Sequence, residues 1–416
     1  MRAALVAATV LSCAVAVPIT TAHKASAQTA SAQDLPTFRI GVMNDQSSLY
    51  SDIAGPGSVT AAQMAVADFN PEKHGFKVEV VSADHQNKAD IGSSVARRWY
   101  DLDKVDAIVD VPTSSVALAV ADISRDKNKV FLVASAGTSD LTAKSCTPNT
   151  VHWTYDTWAL ANGTARAMIK QGGDSWYFLT ADYAFGHALE RDAAEVVKAN
   201  GGKVLGHALA PFQSSDFSSF ILQAQGSGAK VVALANSGGD TINSVKQAAE
   251  FGLSQKQKLV SLLIFLSDIH SLGLKTAQGL MLTNAFYWDL NDGTRAFGKA
   301  FGARNNGRMP TMNQAGTYAA TLHWMKAIAA MDKAKAHDGA AVVAQMKAMP
   351  TDDPLFGKGH IRADGRTIHN MYLWQVKTPE ESKGPYDYLK LVATIPGDEA
   401  FRPMSPEACP MLKKAG

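Results

Sequence analysis

Ala107-Ile108-Val109-Asp110-Val111-Pro112-Thr113-Ser114-Ser115-Val116 reads as an apolar β-strand running into a hydroxyl-rich helix start. Ile and Val suit a buried, pleated strand. Thr and Ser ahead of a periodic apolar run mark a helix N-terminus. The same unit recurs on both sides. Upstream, strands at Phe38–Met43 and Val78–Val81 alternate with helices at Ser58–Phe69 and Ile91–Leu102. In the first of these helices Ala62, Ala65, Val66 and Phe69 keep helical spacing. Downstream, a helix at Ser115–Ser124 precedes a strand at Val130–Val133. The order β-α-β-α-β-α-β predicts a parallel sheet covered by helices on both faces.

The order then starts again. Helices are expected at Ala159–Lys170, His187–Ala199, Phe217–Gln225 and Thr241–Phe251. Strands are expected between them at Trp176–Leu179, Lys203–Ala208 and Val231–Ala235. The apolar run Leu259–Leu266 reads as one further strand and Leu280–Thr283 as another. Helices return at Thr311–Met331 and Gly339–Met349, with Asp352-Asp353 in a loop or at a helix end and last strands near Met371–Trp374 and Leu389–Val392. The expected fold class is α/β, with two Rossmann-like lobes of parallel sheet and flanking helices joined by a multi-crossover hinge. The expected division is 35–155 plus 287–368 for lobe 1, 156–286 plus 369–400 for lobe 2, and 401–416 as a tail. Ligands of doubly wound sheets bind beyond the carboxyl ends of the strands, so two facing lobes would enclose a ligand between them.

Before the first strand, Arg2 leads an apolar run, Ala3–Val17, and Ala25-Ser26-Ala27 follows a polar stretch. A basic start, a short apolar core and an A-x-A end predict a secretory signal peptide over 1–27. Val10-Leu11-Ser12-Cys13 also resembles a lipoprotein box, a lesser alternative because apolar residues continue beyond it. The chain has 416 residues, 40 Lys and Arg against 38 Asp and Glu, and a formal charge of +2. The leader carries Arg2, Lys24 and no acid, so its removal leaves a neutral chain. A neutral chain has no basic footprint for nucleic acid. Of the three cysteines, Cys13 leaves with the leader. In an oxidising compartment Cys146 and Cys409 either join or stay as free thiols, and a bridge tying the tail to the body is the favoured reading.

Catalytic and cofactor signatures are missing: GxSxG, HExxH, CxxC and GxxxxGK[ST] do not occur. Gly55-Pro56-Gly57-Ser58-Val59-Thr60 is half of a dinucleotide fingerprint and lies too far from its strand. The histidines, among them His85, His152, His270 and His323, are scattered and read as structural. No cofactor or metal is expected.

Three loops follow strand ends where a ligand would sit. Thr113 and Ser114 open a helix whose free N–H groups suit a carboxylate. Ser135-Ala136-Gly137-Thr138 combines small residues with hydroxyls. Asp182-Tyr183-Ala184-Phe185-Gly186 places aromatics in a strand-to-helix loop, either as a lid or as packing between lobes. Tyr50, Trp153, Tyr155 and Phe265 form the expected aromatic wall; the pair Trp153 and Tyr155 would equally brace the hinge.

In these loops, with Ile40-Gly41-Val42 and Gln278-Gly279-Leu280-Met281, the sequence resembles the type I periplasmic binding proteins. The branch is the leucine/isoleucine/valine-binding one, which serves ABC importers. The resemblance covers about 38–392. It implies two lobes joined by three crossovers, a periplasmic monomer, and delivery of a small carboxylate ligand to an inner-membrane permease. It also implies ligand contacts at Thr113, Ala136 and Thr138 in lobe 1, and at Tyr183 or Phe185 and Asn236 in lobe 2. The family's amino-acid binders carry a Glu after the next lobe-2 strand. Here only Asp268 lies near that place, which turns the expectation toward an aromatic acid as well as a branched-chain amino acid. A sensor with the same fold is the alternative to a transport protein; an exported enzyme ranks below both.

Overall fold

The computed structural model describes residues 35–414, with Leu5 and Ala7 besides. The expected leader, including Cys13 and the Ala25-Ser26-Ala27 end, lies outside the described residues. The first sheet takes β1 (Thr37–Asn44), β2 (Lys77–Asp84), β3 (Ala107–Asp110), β4 (Val130–Val133) and β5 (Thr150–His152), all parallel, in the order β2-β1-β3-β4-β5. Helices α1 (Gly55–Phe69), α2 (Ala89–Asp101) and α3 (Ser114–Asp126) make the crossovers among β1, β2, β3 and β4. Side chains of β3 and β4 are buried throughout, as a sheet covered on both faces requires. Gly41 in β1 lets α2 come close: a Cβ there would stand 2.3 Å from the Trp99 ring.

The chain leaves this sheet after β5 and enters α4 (Thr157–Lys170), capped by Asp156, whose Oδ1 accepts the Ala159 N–H at 2.8 Å. A second parallel sheet follows, built from β6 (Ser175–Ala181), β7 (Lys203–Ala210), β8 (Val231–Ala235) and β9 (Lys258–Ser261), in the order β7-β6-β8-β9. Its crossovers are α5 (Ala184–Ala199), α6 (Ser218–Gly226) and α7 (Gly239–Glu250). Beyond it come α8 (Leu266–Leu272), α9 (Leu274–Ala277), β10 (Met281–Asn284), α10 (Asp292–Arg304), α11 (Met312–Ala329) and α12 (Gly339–Ala348). A small antiparallel sheet joins β11 (Thr351–Asp353), β12 (Gly357–Ile361) and β13 (Thr367–Ile368). Strands β14 (Met371–Val376) and β15 (Leu389–Ile395) pair antiparallel beside β10, and α13 (Gly397–Ala400) opens the tail. Among the described residues no helix is long and apolar enough to cross a membrane.

Four expectations need correction. The apolar run Leu259–Leu266 is a strand only to Ser261; Leu262 to Phe265 form a buried loop, and Leu266 begins a helix. An apolar run alone does not separate buried strand from buried loop. The helix 292–304 went unread because its apolar face, Phe297 and Phe301, is sparse among Gly and charged residues. The first sheet has a fifth, three-residue strand too short to show a period. Asp352-Asp353 lies in β11.

The Cys146 and Cys409 sulfurs are bonded, with Cα atoms 5.8 Å apart. The bridge holds a tail that also lays Arg402 across Trp158, 3.8 Å from the ring centre, and on Glu195 at 2.7 Å.

Candidate functional site

The carboxyl ends of the two sheets face each other. From the first, the β1–α1 loop brings Tyr50 and Ile53, the β3–α3 loop Pro112, and the β4–β5 connection Ser135; Tyr155 comes from the crossover into α4. From the second, the β6–α5 loop brings Tyr183, α5 itself Phe185, the β8–α7 loop Ser237, and the β9–α8 loop Leu263. These nine residues line one cavity of about 10 Å³, the space of a single water molecule.

Aromatic rings close the cavity. The Tyr50 and Tyr183 hydroxyls meet across it at 2.5 Å, and Phe212 stacks on Tyr183 with ring centres 4.2 Å apart. Gly137 is required here: a Cβ would stand 2.6 Å from Phe185 and 3.1 Å from Tyr155. Gly238, at φ +60°, sits against the Leu49 carbonyl and the Tyr50 ring and has no room for a side chain. A solute larger than water enters only when these contacts part.

Behind the wall lies a layer of buried carboxylates. β3 ends with Asp110 at φ +86°, and Val111 follows at φ +54°. Left-handed backbone is rare for non-glycine residues and rarest for β-branched ones; here it turns the chain so that Pro112 reaches the cavity. Asp110 is fully buried, and burial pushes its carboxyl up to about 6, offset by hydrogen bonds from Ser135 and Asn44. Ser135 Oγ donates to one Asp110 oxygen and Asn44 Nδ2 donates to the other at 2.8 Å. Thr113 Oγ1 donates to Asn87 Oδ1, and Asn87 Nδ2 donates to Asp45 at 2.6 Å. On the facing lobe, burial pushes Asp240 up to about 7; its Oδ2 accepts the Gln213 N–H at 3.2 Å, and its Oδ1 has no partner among the described residues. Ser237 Oγ is likewise buried without a partner among the described residues.

Of the residues singled out from sequence, Tyr50, Ser135, Tyr155, Tyr183 and Phe185 come together at the cavity. Thr113, Ser114, Ala136 and Thr138 are buried one layer back. Ser114 Oγ accepts the Thr138 N–H at 3.2 Å, and the Ala136 carbonyl accepts from His152 Nε2 at 2.7 Å. Thr113 makes no side-chain cap on α3, so the first N–H groups of that helix stay free of an intrahelical acceptor. Asn236 is engaged within its own lobe by Thr241 and Ser244. Asp268 does not line the cavity: its Oδ2 accepts the Phe265 N–H at 2.9 Å at the start of α8. Burial pushes its carboxyl up to about 7. Phe265 stands behind Tyr155, ring centres 6.5 Å apart. Trp153 packs on His323 at 5.4 Å and faces a different small cavity, beside Asp352 and Asp353. Ile53, Pro112, Ser237 and Leu263 were not singled out, nor was Asp110 beneath Ser135. The Gly238-Gly239 pair after β8 was the one sequence signal that could have pointed to Ser237.

A family model for periplasmic binding proteins matches residues 37–385. The chain belongs to the type I periplasmic binding proteins. A periplasmic binding protein from Burkholderia mallei is 49% identical, covers 89% of this chain and 98% of its own, and superposes with a TM-score of 0.86. A branched-chain amino acid ABC transporter periplasmic ligand-binding protein from Burkholderia xenovorans is 38% identical over 90% of this chain and 99% of its own, with a TM-score of 0.79. An R. palustris ABC transporter solute-binding protein in complex with benzoate shares the fold, at 20% identity over 86% and 97% of the two chains and a TM-score of 0.76. No curated protein matches the sequence. Both lobes of this periplasmic binding protein thus contribute to one cavity, and no Lys or Arg is among the described residues that line it.

Proposed function

We propose that this chain is the exported solute-binding component of an ABC importer. It captures a small carboxylate-bearing solute, branched-chain amino acid-like or aromatic, in the cleft between lobes. It then hands that solute to an inner-membrane permease from the periplasm. The observation that carries the reading is the cavity itself: aromatic and aliphatic walls drawn from both lobes, with hydroxyls and no cationic side chain among the described lining residues. The helix dipole and free N–H groups at the start of α3, which lies behind Pro112, are suited to a carboxylate once the lobes part. Tyr50, Tyr155, Tyr183, Phe185, Ile53 and Leu263 are suited to an apolar or aromatic body. On this reading the lobes are 35–155 plus 287–368 and 156–286 plus 369–400, hinged at the crossovers between them. A solute that binds both lobes stabilises the closed form by its differential affinity.

The test is isothermal titration of the mature chain, freed of any retained solute by unfolding and refolding. The probes are leucine, benzoate, 4-hydroxybenzoate and their amides. Stoichiometric binding of a carboxylate, weakened in the matching amide, is the expected result. Silence toward every carboxylate, with binding of a sugar or polyol, would sink the proposal.

A further inference from the structure

We propose that Asp110, acting through Ser135, sets the hydrogen-bonding polarity of the cleft, so that it selects a solute carrying an N–H or O–H donor over an isostere without one. This rests on the carboxylate-binding reading above and adds a positioning residue to it. Asp110 touches no solute; Ser135 does, since Ser135 lines the cavity and Asp110 lies fully buried beneath it.

The argument follows the protons. Ser135 has one O–H, and it is donated to Asp110. What Ser135 turns to the cavity is therefore lone pairs only. Tyr155 likewise donates its only proton, to the Ser135 carbonyl at 2.5 Å. Thr113, one layer back, gives its proton to Asn87, which is itself turned by Asp45. Of the first lobe's cavity-lining hydroxyls, those of Ser135 and Tyr155 have thus spent their protons within the lobe and can meet the cleft only as acceptors. A solute group that brings a proton satisfies them. One that brings only lone pairs leaves buried acceptors facing acceptors, a loss on the scale of a buried unsatisfied group.

The direction of the Ser135 bond is anchored from below. Asn44 Nδ2 donates both to the Gly55 carbonyl at 2.7 Å and to Asp110 Oδ2 at 2.8 Å, which fixes the orientation of the Asn44 amide. Asp110→Asn must then place its carbonyl oxygen on Asn44 and its NH₂ on Ser135. Ser135 would accept from that NH₂ and release its own proton into the cleft. A near-isosteric substitution thus reverses the polarity of a wall that it does not touch. Reversal of selectivity is an outcome that simple loss of structure does not produce.

The test uses the full mature chain and two matched probe pairs: leucine with 4-methylpentanoate, and 4-hydroxybenzoate with benzoate. In the wild type, the donor-bearing member of the pair that binds should be favoured at least about tenfold. In Asp110→Asn the preference should fall to about threefold or less, or invert. Ser135→Ala should also collapse it, and Ser135→Thr, which keeps the hydroxyl, should restore it. If Asp110→Asn does not fold, the Ser135 pair of variants carries the test. A wild type that binds the donor-free member equally well overturns the proposal, as does a preference unchanged in Asp110→Asn and Ser135→Ala. If none of the four carboxylates binds the wild type, the carboxylate reading itself fails, and this inference with it.

Discussion

Tyr183→Phe isolates one hydroxyl that matters only when the lobes are closed. In the closed form Tyr183 Oη meets Tyr50 Oη at 2.5 Å, and Tyr50 is buried. With Phe at 183, Tyr50 keeps its hydroxyl and loses the partner. A buried polar group left unsatisfied costs about 1–3 kcal/mol. In the open form both hydroxyls reach water, and the substitution costs nothing there. The closed–open equilibrium should therefore move toward open by about 1–3 kcal/mol, or roughly 5- to 150-fold. Affinity for a solute that is held with this hydroxyl contact re-formed should fall by the same factor. Tyr50→Phe with Tyr183→Phe replaces both partners by apolar groups of the same shape, which is close to neutral. The double variant should thus recover most of the closed population that the single one loses. Small-angle scattering reads the closed fraction without a ligand, and titration reads the affinity. Two results would refute the reasoning: a single variant as closed as the wild type, or a double variant whose loss is the sum of the two single losses. Strict additivity would mean that the hydroxyls do not interact.

Two further predictions concern stability. The Cys146–Cys409 bridge spans 263 positions of sequence, so its removal should free a very long loop in the unfolded chain. Cys409→Ser should lower unfolding stability in urea by up to about 5–6 kcal/mol, the chain-entropy value for a loop of this length; an unchanged midpoint would count against the bridge as a stabiliser. Asp268 carries a carboxyl raised to about 7 by burial, so the native state holds its proton over a pH range where the unfolded chain has released it. Stability from this group is fully present below the unfolded value and is lost as pH rises through about 7. Asp268→Asn keeps an acceptor for the Phe265 N–H and removes the charge. It should match the wild type near pH 4 and exceed it increasingly up to about pH 8, by roughly 3–4 kcal/mol. Thermal melts across that range would expose the error if the gain were constant with pH.

The sequence by itself determined the architecture. Period and punctuation are local properties: Phe38–Met43 and Ala107–Val111 read as strands from their own residues, and the repeated βα order left little topological freedom. It also pointed to the loops that line the cavity, because strand ends in a doubly wound sheet are where ligands bind. Tyr50, Ser135, Tyr155, Tyr183 and Phe185 were legible for that reason, each lying in or beside a strand-end loop. Tertiary structure decided what those residues do. That Tyr50 meets Tyr183, 133 positions away, depends on lobe closure, which no local pattern encodes. Asp268 looked like a charge for a ligand and is bonded to its own helix start, because the apolar run before it ends as a strand at Ser261. Asp110 looked like one residue of an ordinary strand, Ala107–Val111. Its left-handed backbone and its hold on Ser135 arise only when β1, β3 and the segment after β4 are side by side. Hydrophobic periodicity reports which face is buried; it carries no record of where a proton points, and the hydrogen-bonding polarity of this cleft depends on that.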